Sequence, residues 1–147
     1  MRAARVAATV LVAIAAGCVH HPGLPATGTS GYEAKASATA TAAISVVATV
    51  GLALDAEAAD HTTERYLAVV VGDQEDRLEE VVSSFSAVTP PTDEARALRT
   101  EVVAALGSAT DHVASVRIAL GAGEDEAALA LRPDLADDAE ALAGFES

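Results

Sequence analysis

Apolar positions in this chain recur at the spacing of a helix, not at the alternation of a strand. From Ala36 to Leu54 there are 19 residues without a charge, and Ala43, Val47, Val50, Leu54 and Ala58 follow one another in steps of 4, 3, 4 and 4. Such a stripe faces a partner. Ser30 and Glu33 ahead of it have the form of a capping box, in which each side chain satisfies a free backbone N–H at a helix start. Its length also suits a membrane span, although five Ser and Thr residues and Gly51 dilute the hydrophobicity. Asp60-His61-Thr62-Thr63 then supplies capping side chains, and Leu67, Val71, Gln74, Leu78, Val81, Phe85 and Val88 keep an alternating step of 4 and 3. A 3.5-residue repeat is the seam of a helix lying at a shallow angle against others.

Pro90-Pro91 ends that second helix, because the residue before a proline disfavours helical geometry and neither ring carries a backbone N–H. Thr92 is a fitting N-cap for a third helix, with Asp93 and Glu94 placed where its dipole is positive. The third stripe is Leu98, Val102, Leu106, Ala109, Val113, Val116 and Leu120, closed by Gly121-Ala122-Gly123. A fourth segment carries Leu129, Leu131, Leu135, Ala139 and Leu142. Pro133 interrupts it, either as a kink or as the start of a helix near Arg132. Four rods with short links predict an all-α domain, an antiparallel up-down-up-down four-helix bundle over residues 32–147.

Composition narrows the partners. Of the 147 residues 22 are acidic and 9 basic, a formal charge of −13, so the surface repels nucleic acid and anionic headgroups alike. Alanine makes up about a quarter of the chain and there is no Trp, which predicts a thin core of closely spaced helices.

The front of the chain reads differently from the rest. Arg2 and Arg5 precede an uncharged run from Val6 to Ala16, followed by Gly17 and Cys18. The run is about half of the roughly 20 residues a spanning helix needs, and this layout is that of a secretory signal. Val12-Ala13-Ile14-Ala15-Ala16-Gly17-Cys18 resembles the lipobox of bacterial lipoproteins. That resemblance implies a signal peptide over 1–17, cleavage between Gly17 and Cys18, and a diacylglyceryl group on the Cys18 sulfur. Cys18 is the only cysteine, so no disulfide forms within the chain. Cleavage removes Arg2 and Arg5, leaving 7 basic against 22 acidic side chains and moving the charge from −13 to −15. Attachment to a membrane then rests on the acyl chains and not on a basic patch. Residues 18–31, rich in Pro, Gly, Ser and Thr, are expected to form a disordered tether. Leu24-Pro25-Ala26-Thr27-Gly28 matches a sortase pentapeptide, but no apolar segment and basic tail follow it at the C-terminus. With Pro90-Pro91 between the second and third rods, the layout resembles uncharacterised lipoproteins of high-GC Gram-positive bacteria, and the resemblance implies location without implying an activity.

Chemistry is sparse. Glu57 and His61 stand four apart on one helical face and are the weak candidates for a metal ligand pair, while the Glu-x-x-His pairs of bundle di-metal centres are absent. His20 and His21 on the tether are at most half a site. His112 is expected at the bundle edge beside Asp111. Asp60-His61 and Asp111-His112 are sequence neighbours and not the oriented set a nucleophile needs, and Gly121-Ala122-Gly123 opens onto Glu124-Asp125-Glu126, which would repel phosphate. The acidic runs Asp73 to Asp76, Glu124 to Glu126 and Asp137 to Glu140 read as solvated faces. The expectation is a non-enzymatic envelope lipoprotein, without cofactor, held to the membrane by lipid and contacting an envelope protein or a cell-wall component. The alternative is a carrier of small molecules or metals with a pocket inside the bundle.

Overall fold

In a computed structural model that describes residues 28–146, the chain is all-helical, with no strand among the described residues. Helix α1 spans Thr29–Ala58, α2 Glu64–Ser86, α3 Asp93–Gly121, α4 Asp125–Ala130 and α5 Arg132–Ala143. The arrangement is a helical bundle in which α1 touches every other helix, α2 packs on α1 and α3, and the α4–α5 arm packs on the same two from another side. No contact joins α2 to α4 or α5. Cross-links fix which ends meet: Lys35 near the start of α1 donates to Ser84 near the end of α2, and Arg132 at the start of α5 pairs with Asp55 near the end of α1.

The start of α1 corrects the sequence reading. Thr29, Ser30 and Gly31, placed in the tether, are helical, and the residue at the N-cap is Gly28 with φ 98° and no side-chain capping bond. Glycine alone enters that left-handed region without a Cβ penalty, so the chain turns into the helix two residues before Ser30. Ser30 and Glu33 then lie inside the first turns and form no capping box. The buried face of α1 is also wider than the predicted stripe: Tyr32, Ala36, Thr39, Ala40 and Val46 join Ala43, Val47, Val50 and Leu54, while Ala58 is exposed. A helix touched by all its neighbours needs such a broad apolar surface, and charges are absent from Ala36 to Leu54, between its two ends, for that reason. Buried Thr39 satisfies its hydroxyl on the Lys35 carbonyl at 2.8 Å.

Both ends of α3 and the start of α2 behave as their residues require. The Thr63 and Thr92 hydroxyls accept from Tyr66 N at 3.3 Å and Ala95 N at 3.2 Å, each filling one of the donors a helix start leaves free. Hydrogen bonds from its own backbone N–H and from Thr92 hold the Glu94 carboxyl below its ordinary pKa. At the far ends, α1 and α3 close with the same motif. Asp60 N and His61 N reach back to the Glu57 and Ala56 carbonyls, and Gly123 N and Glu124 N to Leu120 and Ala119. Each motif needs one left-handed residue; α3 uses Gly123 at φ 73°, whereas α1 uses Asp60 at φ 55°.

On α2, Leu67, Val71, Leu78 and Phe85 are buried as the heptad placed them, with Gln74 and Val81 half-buried, as is Val88 just past its end. Arg99 of α3 donates to the Val88 and Ser86 carbonyls at 2.7 and 2.9 Å, closing the end of α2 from the neighbouring helix. All of the third stripe is buried except Leu98, which is half-buried. The Pro133 alternatives resolve as a break, with Leu131 between α4 and α5 and Pro133 in the first turn of α5. Proline leaves the Leu129 carbonyl without its helical donor, and Arg132 Nε donates to that oxygen at 3.2 Å.

Candidate functional site

The charged side chain buried among the described residues is Asp138, 5% exposed on the inner side of α5. Its helix carries Leu135 and Leu142, both buried, so Asp138 is held against the core by the turns on either side. Opposite it on α3, Ser108 and His112 are one turn apart and share a face. Ser108 Oγ donates to Asp138 Oδ1 and His112 Nδ1 meets Asp138 Oδ2, both at 2.7 Å. Each carboxylate oxygen therefore has a donor, which is what a buried carboxylate requires.

The His112 side chain is 32% exposed. Its pKa is raised above 6.5, first by the hydrogen bond to Asp138, then by the negative charges of Asp138, Asp134 and Asp111, against an opposing effect of burial. The imidazole is thus drawn toward its charged form by a carboxylate from another helix, and not chiefly by its sequence neighbour Asp111. Ser108 donates to the carboxylate and not to the ring. A serine nucleophile needs its proton taken by the free imidazole nitrogen, so the trio is arranged as a part-buried junction around one buried carboxylate and not as a hydrolytic relay.

The weaker candidates fall elsewhere. His61 lies exposed in the link after α1, where its backbone N–H closes the helix on the Ala56 carbonyl at 2.8 Å. Glu57 is half-buried, with Oε2 enclosed and unpartnered. Among the described residues no three His, Cys, Asp or Glu side chains come together in a way that could hold a metal ion. Gly17, Cys18, His20, His21, the signal segment 1–17 and most of the tether lie outside the described residues. An open groove of about 570 Å³ runs between Glu33 and Ala36 of α1, Leu98 and Glu101 of α3, and Gly144 and Phe145 after α5.

Asp138 is the site residue that the sequence reading missed, having placed it in a solvated acidic run. A signal was present: Leu131, Leu135, Asp138 and Leu142 follow in steps of 4, 3 and 4, so a heptad puts the aspartate on the seam where Ala139 had been assigned. No known protein family, no curated protein and no solved structure matches the chain.

Proposed function

We propose that the chain is a lipid-anchored protein of the cell envelope whose helical ectodomain acts without catalysis, by contact with another envelope protein or a cell-wall component. The observation that carries this reading is the run Ala15-Ala16-Gly17-Cys18 behind a basic start and a short apolar segment. It predicts cleavage before Cys18, acylation of its sulfur and display on the extracytoplasmic face. The ten sequence positions between Cys18 and the first helical residue, Thr29, support a short tether between lipid and bundle. The rods are read as running up-down-up-down, antiparallel in chain order. This order is supported by the Lys35–Ser84 and Arg132–Asp55 pairs and by the Arg117–Glu75 ion pair between α3 and α2. Helix α1 is long and apolar enough to cross a membrane by length and composition, with mean hydropathy 1.7 in its most apolar window. In the bundle it supplies nine buried residues to the core, which favours a core helix over a span.

Mass spectrometry of membrane-extracted protein tests the anchor. A mature chain starting at Cys18 with added acyl mass is expected, and the Cys18→Ser protein should leave the membrane fraction. An uncleaved, unmodified chain that stays membrane-bound would overturn the reading. Cross-linking in intact cells followed by membrane pull-down should then recover one reproducible partner.

A second reading, a carrier of small molecules, is favoured by the groove lined by Glu33, Leu98, Glu101 and Phe145, which falls within the range of ligand sites. An apolar floor between carboxylates suits a cationic amphiphile. Native mass spectrometry of the purified full chain would show a bound species if this reading is right, and an unliganded chain with no thermal shift on adding such amphiphiles would sink it.

A further inference from the structure

We infer that His112 and Asp138 form a proton-operated latch that holds the α4–α5 arm in the groove between α1 and α3 and loosens it when the imidazole becomes neutral. The arm is a weak unit by construction. Its helices are 6 and 12 residues long, too short to persist without tertiary contacts, and α2 gives it no support. What holds it is the apolar contact of Ala128, Leu135 and Leu142 with Leu129, Leu131, Ala139 and Phe145 packed beside them, two exposed polar links, Arg132–Asp55 and Glu146–Thr41, and the junction at Asp138. Exposed links contribute little. The junction is the part of this attachment that responds to pH, and through it the frequency of opening does too.

Charges around the ring decide the direction. From α3 the imidazole faces Asp111, and from α5 Asp134 and Asp138. Helix α1 has no titratable side chain between Lys35 and Asp55, the acidic residues of α4, Asp125 and Glu126, are exposed in its first turn, and Glu75 of α2 is taken up by Arg117. Arg117 of α3 and Arg132 of α5 are engaged elsewhere, by Glu75 and Asp55. With His112 protonated, the buried carboxylate has a half-buried countercharge; with it neutral, Nδ1–H still donates, but the charges of Asp138, Asp134 and Asp111 around the ring are left without it. Since the folded pKa of His112 lies above the unfolded value near 6.5, its contribution is fully present below that value and is lost as pH rises through the folded pKa. Opening the arm uncovers the apolar surfaces of α1 and α3 that Leu135 and Leu142 cover, so the latch is a means of exposing them on the alkaline side.

The test is amide hydrogen exchange of the full chain at pH 5.5 and pH 9, corrected for intrinsic rates and expressed as protection of Leu135–Ala143 relative to Leu67–Val81 in α2. Wild type should lose part of that relative protection at the higher pH, and His112→Gln, which keeps a donor but no titratable charge, should show no such loss. Equal protection at the two values, or the same loss in His112→Gln, overturns the latch. Should that variant fail to fold, the wild-type imidazole titration followed by NMR decides instead: a midpoint above 6.5 coupled to shifts in the α5 amides supports it, and a midpoint at or below 6.5, or unmoved α5 amides, overturns it.

Discussion

Replacing Tyr32 by phenylalanine should stabilise the protein, although tyrosine-to-phenylalanine changes in cores usually do the opposite. Tyr32 sits in the first turn of α1 with no exposed surface, its ring tilted 48° to that of Phe85 with centroids 5.6 Å apart. Its hydroxyl is enclosed and has no hydrogen-bond partner. A bonded phenol contributes about 1 kcal/mol net, whereas an enclosed one without a partner costs about 1–3 kcal/mol of lost hydration. Tyr32→Phe removes that cost and keeps the ring, so a gain of about 1 kcal/mol is expected, whereas Tyr32→Ala empties the site and should lose about 3–5 kcal/mol. Urea unfolding followed by circular dichroism at 222 nm reads the difference. With a slope of about 2 kcal/mol/M the Phe variant's midpoint should rise by about 0.5 M at unchanged slope. A fall of about 1 kcal/mol would refute the reasoning, because it would mean that the hydroxyl donates or accepts inside the fold. A Phe85→Leu background sharpens the result: the hydroxyl effect should survive there, since it does not depend on the ring pair.

Three further changes test the helix ends. Asp60→Gly relieves a left-handed aspartate in a motif that α3 builds with glycine, and should raise stability by about 0.5–1 kcal/mol in thermal melts. Thr92→Ala removes the cap of α3 and the 3.2 Å bond to Thr29, and should cost about 1 kcal/mol, while Thr92→Ser recovers most of it. Arg99→Met keeps the stem but leaves the Val88 and Ser86 carbonyls without their donor, and should cost about 1 kcal/mol and speed amide exchange in the last turn of α2.

What the sequence made legible is the part of the fold written in period and punctuation. Leu67, Val71, Leu78 and Phe85, and the run from Val102 to Leu120, are buried where a 3.5-residue repeat put them. Thr63 and Thr92 cap because a side-chain oxygen in an extended residue meets a free N–H three residues on, a relation that needs nothing distant. The start of α1 was misread for a related reason. Ser30 and Glu33 have the right spacing for a capping box, but Gly28 is conformationally able to begin the helix sooner, and spacing alone cannot rank the two. The partner of Arg99 was also invisible, since nothing local links position 99 to the carbonyls that end α2.

The junction at Asp138 marks the deeper limit of a one-dimensional reading. In Asp137, Asp138 and Glu140 three acids within four positions look alike, and only the helical phase, set by where α5 starts at Arg132, selects the one that points inward. A buried aspartate is tolerated only if donors meet both oxygens, and those donors, Ser108 and His112, are 30 and 26 positions away on a helix whose apolar stripe gives no hint of them. Replacing a fully bonded ion pair by apolar residues of similar size is often neutral or stabilising, so this trio is not needed for burial as such. Its consequence is specificity: a slip of α5 by one turn would set Leu135 or Leu142 opposite Ser108 and His112 and leave the carboxylate without donors. The same three side chains therefore fix the register of the arm and make its attachment depend on one proton.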